Sequence, residues 1–126
     1  MANNNNKSTA FVVDDEPMIA STLELILISE GFDARSFVDP LDVLSATEFV
    51  RPDLLVTDFM MPSMSGIELA IQVTKRCPDC KVLLISGQIC REDLNALGYE
   101  FPLLRKPVHP HMLIETIKGL VEPVAR

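Results

Sequence analysis

Asp58 closes the apolar run Leu54-Leu55-Val56-Thr57 and is followed by Phe59-Met60-Met61-Pro62. A run without alternation suits a strand buried on both faces, so this carboxylate stands where a core strand emerges; the plainer reading is a turn or helix-capping aspartate. Asp14, Asp15 and Glu16 follow a second such run, Phe11-Val12-Val13, while Ser86 and Lys106 end two more. Adjacent acids repel one another, so Asp14 and Asp15 are either solvated or share a cation. Taken together these groups suit acceptance of a phosphoryl group, which needs an in-line nucleophile and neutralisation of charge on the phosphoryl oxygens. Asp58 is the nucleophile, already ionised and in no need of a base. A hard divalent cation, most naturally Mg2+, is held by Asp15, Asp58 and a backbone carbonyl, that of Met60, with Asp14 acting through water. Ser86 and Lys106 grip the remaining oxygens, one as a hydroxyl donor and the other as a point charge.

The elements that must position these residues alternate strictly. Thr9 to Val13 reads as a strand, and Pro17 opens a helix carrying Ile19, Leu23, Ile26 and Leu27 that Gly31 stops. Phe32 to Phe37 is a weakly alternating edge strand, and Asp39-Pro40 opens a helix through about Phe49. After the central strand, Gly66 to Arg76 is helical, Lys81 to Gly87 a buried strand, and Arg91 to Leu97 a short helix closed by Gly98. Tyr99 to Arg105 is a last strand, interrupted by Pro102 and so expected near the sheet edge. Pro110 to Val121 is the final helix. Strict alternation of strand and helix predicts an α/β fold, an open doubly wound parallel sheet with helices on both faces. Right-handed crossovers then bring every strand's carboxyl end to one side, where three acids, a hydroxyl and a lysine converge.

Bulk properties narrow the partners. The 126 residues suffice for one domain, expected over residues 9–122 between a disordered tail at 1–8 and a C-terminal tail at 123–126. Eighteen acidic against eleven basic residues give a formal charge of −7, which opposes binding to nucleic acid or anionic membranes. No apolar stretch is long enough for a membrane span and the Asn-rich start lacks the regions of a signal peptide, so the expected location is cytoplasmic. Three cysteines make no disulfide framework. Cys77-Pro78-Asp79-Cys80 has redox or zinc spacing but reads as two thiols flanking a turn, and Cys90 as an ordinary half-buried residue. His109 and His111 read as exposed loop residues, not ligands.

The sequence Val12-Val13-Asp14-Asp15-Glu16-Pro17, Asp58 to Pro62 with Gly66, Ile85-Ser86-Gly87 and Lys106-Pro107 resembles the receiver domain of two-component response regulators. The resemblance spans Thr9 to Val121. It implies a flavodoxin-like five-stranded sheet in the order 2-1-3-4-5 with five helices, and a cis Lys106-Pro107 bond. It also implies Mg2+-dependent phosphorylation of Asp58 by a histidine kinase or histidine phosphotransfer protein, relayed as a conformational change to a downstream protein target or effector domain. The protein is then a phosphoacceptor, not an enzyme, and resembles a stand-alone or excised receiver.

Three positions depart from, or qualify, that pattern. Receivers usually carry Tyr or Phe three residues before the lysine, where Leu103 stands, and Tyr99 and Phe101 are out of register. Output is therefore expected to rely on backbone movement between Ser86 and Arg91. Met60 and Gln88 follow Asp58 and Ser86 by two positions, the places best suited to orient a hydrolytic water; a thioether cannot hold one usefully and an amide is no base, so self-dephosphorylation is expected to be slow. Three alternatives are weaker. A flavodoxin-type carrier needs a phosphate-cradling loop where Asp14-Asp15-Glu16 stands. A haloacid-dehalogenase-like phosphatase needs Asp-x-Asp after the first strand. A degenerate receiver, a phosphorylation-independent protein-binding module, does not need the complete set of acids, Ser86 and Lys106.

Overall fold

The structure, a computed structural model, describes residues 7–88, 91–98 and 100–121. The chain alternates β1 (Thr9–Val13), α1 (Pro17–Ser29), β2 (Asp33–Phe37), α2 (Pro40–Ala46), β3 (Leu54–Asp58), α3 (Gly66–Arg76), β4 (Lys81–Ser86), α4 (Arg91–Ala96), β5 (Leu103–Arg105) and α5 (Pro110–Leu120). The strands form one parallel sheet, as the alternation of strand and helix predicts, in the order β2-β1-β3-β4-β5 that the resemblance implies.

Side-chain alternation along the strands divides the core in two. Phe11, Val13, Leu55, Val82 and Leu84 pack with Val43, Leu69, Val73 and Leu94 of α2, α3 and α4. Ala10, Val12, Leu54, Val56, Leu83 and Ile85 pack with Leu23, Leu27, Leu113 and Ile117 of α1 and α5. All five residues of β3 are buried, because β1 and β4 flank it and helices cover both faces. The apolar runs of β1, β3 and β4 are thus the signature of strands that meet no solvent.

Local chemistry sets the element ends. Pro17, Pro40 and Pro110 each open a helix, where a missing N–H costs nothing. Gly31 and Gly98 follow α1 and α4 at positive φ, 97° and 90°, the left-handed turn that glycine enters without penalty. Ser65 and Glu68 form a reciprocal capping box at the start of α3.

Two boundaries and one placement differ from expectation. Helix α2 stops at Ala46 instead of near Phe49: the Glu48 and Phe49 N–H groups bond the carbonyls of Ser45 and Ala46 in i to i+3 fashion, Thr47 Oγ1 donates back to Leu44, and Arg76 of α3 donates to the same Leu44 carbonyl. Strand β5 is only three residues long, since Pro102 has no N–H to give to the ladder, although its carbonyl still accepts from Leu84 at 2.9 Å. Its place at the sheet edge is as expected. The expected strand start at Tyr99 lies outside the described residues, as do Cys90, residues 1–6 of the N-terminal tail and the C-terminal tail. His109 is the N-cap of α5 and His111 lies within its first turn, because Pro110 starts the helix between them; both are exposed. Cys77 and Cys80 are buried free thiols on either side of a turn closed by the Cys80 N–H to Cys77 carbonyl bond of 3.0 Å. Burial pushes the Cys80 thiol up to about 12, with Cys77 and Asp53 adding to the rise, which is the reverse of what a redox nucleophile needs.

Candidate functional site

Asp14 is held from two sides. Its N–H donates to the Phe37 carbonyl at the end of β2 (3.1 Å), and its Oδ1 accepts the Glu16 N–H (2.9 Å), a tight turn that leads directly into Pro17. The carboxylate is only 1% exposed, whereas Asp15 points to solvent. Asp58, 7% exposed, faces Ile85 across the β3–β4 ladder. The next residue anchors the loop that follows: Phe59 donates to the Ile85 carbonyl and accepts from the Gly66 N–H, both at 2.8 Å. Gly66 lies so close that a Cβ there would collide with the Asp58 main-chain carbonyl, which Thr57 Oγ1 also bonds at 3.0 Å. The acceptor strand and α3 can meet this tightly only through a glycine.

From the other side of the sheet edge, Lys106 follows β5. Its N–H donates to the Ser86 carbonyl at 2.9 Å, and the Lys106-Pro107 bond is cis. Its ammonium lies 3.2 Å from Asp14 Oδ2 and 3.3 Å from Asp58 Oδ1. Ser86 is buried, with its Oγ accepting the Gln88 N–H at 3.1 Å. Oxygens of Asp14, Asp15 and Asp58 lie within 4.8 Å of one another. The parallel sheet therefore brings together all the side chains singled out from the sequence at one edge. Met60 also stands there, in the loop beyond Asp58.

The electrostatics are those of a carboxylate-rich, cation-seeking pocket. Burial raises the Asp58 pKa above the ordinary carboxylate value, and the Asp14 charge raises it further, while Lys106 pulls it back. For Lys106 burial acts downward, but the two carboxylates outweigh it and leave the ammonium above its usual value. One lysine thus serves two buried acids. Asp14 Oδ2, buried, has the Lys106 ammonium at 3.2 Å as its partner and no neutral hydrogen-bond donor beside it. Three carboxylates with oxygens within 4.8 Å of one another match the all-oxygen donor set of a hard divalent cation.

Residues 10–118 match the family model described as response regulator receiver domain. The chain belongs to the response regulator receiver family. Among its curated relatives, this receiver is 34% identical over 117 residues to the probable transcriptional regulatory protein TcrX of Mycobacterium tuberculosis, a match covering 90% of the chain and 49% of that protein. It is 31% identical to the DNA-binding response regulator MtrA of Mycolicibacterium smegmatis, over 86% of the chain and 48% of the relative. The chain spans about half the length of the curated relatives it matches. Among solved structures, the chemotaxis protein CheY4 of Vibrio cholerae superposes with a TM-score of 0.81 at 22% identity, covering 91% of this receiver and 99% of that chain. The response regulator TrrA of Thermotoga maritima, solved in complex with Mg2+ and BeF, gives 0.77 at 29% identity and covers 90% and 99%.

Leu103, at the position where receivers usually carry an aromatic ring, is 8% exposed and belongs to the same apolar cluster as Leu84 and Leu94, with Phe101 packed against it. Three features of this receiver escape a reading of the sequence: the clearance role of Gly66, the Thr57 bond to the Asp58 carbonyl and the grip of the Gln88 amide on Ser86. Only Gly66 leaves a trace, as a glycine placed directly after a helix-capping serine. Among the described residues no helix is long and apolar enough to cross a membrane.

Proposed function

We propose that this receiver, over residues 9–122, takes a phosphoryl group onto Asp58 from a phosphohistidine of a histidine kinase or histidine phosphotransfer protein, in a Mg2+-dependent reaction. The observation that carries the reading is the single ammonium of Lys106 bridging Asp14 and Asp58 at 3.2 and 3.3 Å, beside three clustered carboxylates. The TrrA complex with Mg2+ and BeF, in a relative of the same fold, supports it.

A carboxylate oxygen of Asp58 attacks phosphorus while the bond from phosphorus to the imidazole nitrogen breaks, the electron pair leaving with the imidazole. Asp15, Asp58 and the Met60 main-chain carbonyl would hold the cation, with Asp14 acting through water. When bound, it supplies positive charge against the phosphoryl oxygens. Lys106 follows the charge from the carboxylate to the phosphoryl oxygens, and the Ser86 hydroxyl donates to another of them. Slow hydrolysis returns Asp58 to its starting state. The phosphorylated form is read by a protein target or an attached effector domain, in the cytoplasm and without contact by this domain to nucleic acid or membrane.

Incubation with acetyl phosphate and Mg2+ is expected to add one phosphate, stable in acid and labile in base, seen by intact mass. Asp58→Asn removes the label and a chelator suppresses it, and the same holds with a phosphorylated histidine phosphotransfer domain as donor. An equal label on the Asp58→Asn variant would overturn the assignment.

A further inference from the structure

We propose that Met60 is an oxidation site through which peroxide shortens the lifetime of the phosphoryl group on Asp58; this rests on the reading of Asp58 as the phosphoacceptor. The loop after β3 is pinned at both ends, at Phe59 by the Ile85 carbonyl and at Gly66 by the Phe59 carbonyl. Between the pins stand three methionines with different surroundings. Met61 and Met64 are partly buried against the core beneath α2, α3 and α4, whereas Met60 is 58% exposed. The shielded thioethers fill space, and the open one faces solvent two residues beyond the acceptor carboxylate.

Peroxide oxidises an exposed thioether directly. A sulfur lone pair attacks one peroxide oxygen, the O–O bond breaks, and the other oxygen takes up a proton and leaves as water; the thioether becomes a sulfoxide and the peroxide is reduced. Among the described residues the thiols compete poorly, since Cys77 and Cys80 are buried and the Cys80 thiol is pushed up to about 12. The change in chemistry is large for one atom. An apolar sulfur that accepts hydrogen bonds only weakly acquires a strong acceptor oxygen. Two residues beyond Asp58, such an oxygen holds a water near the phosphorus, which a thioether cannot do. Oxidation thereby turns a long-lived signal into a short-lived one, and enzymatic reduction of the sulfoxide restores it.

The test uses the intact protein, treated or untreated with hydrogen peroxide, then labelled with acetyl phosphate and freed of donor, with Asp58 phosphate followed by mass over time. Peptide mapping is expected to show one added oxygen at Met60, and the phosphoryl lifetime is expected to fall on the order of threefold to tenfold. In Met60→Leu the ratio of treated to untreated lifetimes stays near one, although the exposed Met18 and Met112 still oxidise. Treatment with methionine sulfoxide reductase reverses the wild-type effect, and Met60→Gln imitates it without peroxide. Met60 unoxidised at doses that convert Met18, or an equal shortening in Met60→Leu, overturns the proposal. Failure of the untreated protein to take phosphate at all would remove the phosphoacceptor reading first, before peroxide enters the experiment.

Discussion

Lys106 Nζ stands 3.3 Å from Asp58 Oδ1 although the two residues belong to different strand ends, β5 and β3, with β4 between them. The lysine reaches over β4 because its own N–H is fixed to the Ser86 carbonyl at 2.9 Å. It compensates Asp14 at the same time. Replacing it by Met leaves two buried carboxylates facing each other without a cation, and partial exposure of the lysine moderates the cost to about 1–2 kcal/mol. Urea unfolding of Lys106→Met is expected to show that loss at neutral pH without divalent ions, and added Mg2+ to recover most of it. No change in midpoint would show that the ion pairs contribute nothing.

Asp58 works in the opposite sense. Its folded pKa is raised, chiefly by burial, so the folded state binds its proton more tightly than the unfolded chain does. Stability contributed by this group is present below the ordinary carboxylate value near 3.9 and is lost as pH rises through the raised folded value. Asp58→Asn is therefore expected to be the more stable protein at pH 7 in chelator, with the higher Tm. The difference should close as the solution is acidified. Equal Tm values at pH 7 would contradict the burial argument.

Asp15 differs from Asp14 and Asp58 in being exposed, so its neutralisation should spare the fold. Asp15→Asn is expected to weaken Mg2+ affinity by about tenfold or more, through loss of one anionic oxygen ligand, while leaving Tm in chelator within about 2 °C. Calorimetric titration with Mg2+ measures the first and a thermal scan the second. Unaltered Mg2+ affinity would remove Asp15 from the ligand set.

At Gly66 the expectation is steric. A methyl group meets the Asp58 carbonyl oxygen, and that carbonyl is main chain, unable to swing aside as a long side chain does. Gly66→Ala should force the start of α3 away from β3, costing on the order of 2–3 kcal/mol and displacing Asp58 enough to slow labelling by acetyl phosphate. Ala at Gly119, where nothing lies within 4 Å, is the matched control. Wild-type stability in Gly66→Ala would disprove the clearance argument.

Leu103 and Ser86 offer two routes for signal output. Leu103 is already packed with Leu84 and Leu94 and has no hydroxyl to exchange between solvent and core, so a rotamer switch there has little to gain. Ser86 Oγ, by contrast, holds the Gln88 N–H at 3.1 Å, and a hydroxyl that turns toward a phosphoryl oxygen releases that amide. The Gln88 amide resonance is expected to shift on addition of Mg2+ and beryllofluoride in wild type and in Leu103→Ala, and to stay put in Ser86→Ala. Leu103→Ala itself should lose about 2–3 kcal/mol of stability as a core truncation. A Gln88 shift abolished by Leu103→Ala and kept by Ser86→Ala would reverse the assignment.

The sequence by itself determined the order and kind of the elements, the two-faced burial of β1, β3 and β4, and the gathering of Asp14, Asp15, Asp58, Ser86 and Lys106 at one edge. Those follow from uninterrupted apolar runs ending in polar residues and from the handedness of parallel crossovers, which are local or topological constraints. Tertiary structure decided what depends on distance and on neighbours remote in the chain. The end of α2 was set by Arg76 and Thr47 both donating to the Leu44 carbonyl, and the length of β5 by which residues met a partner on β4. The sharing of one ammonium between Asp14 and Asp58, the carbonyl against Gly66 and the shielding of Met61 and Met64 but not Met60 belong to the same class. Residue type places a charge at a strand end, but only the packed chain decides which charges touch, because burial and Coulomb energy change over a few ångströms that no spacing along the sequence records.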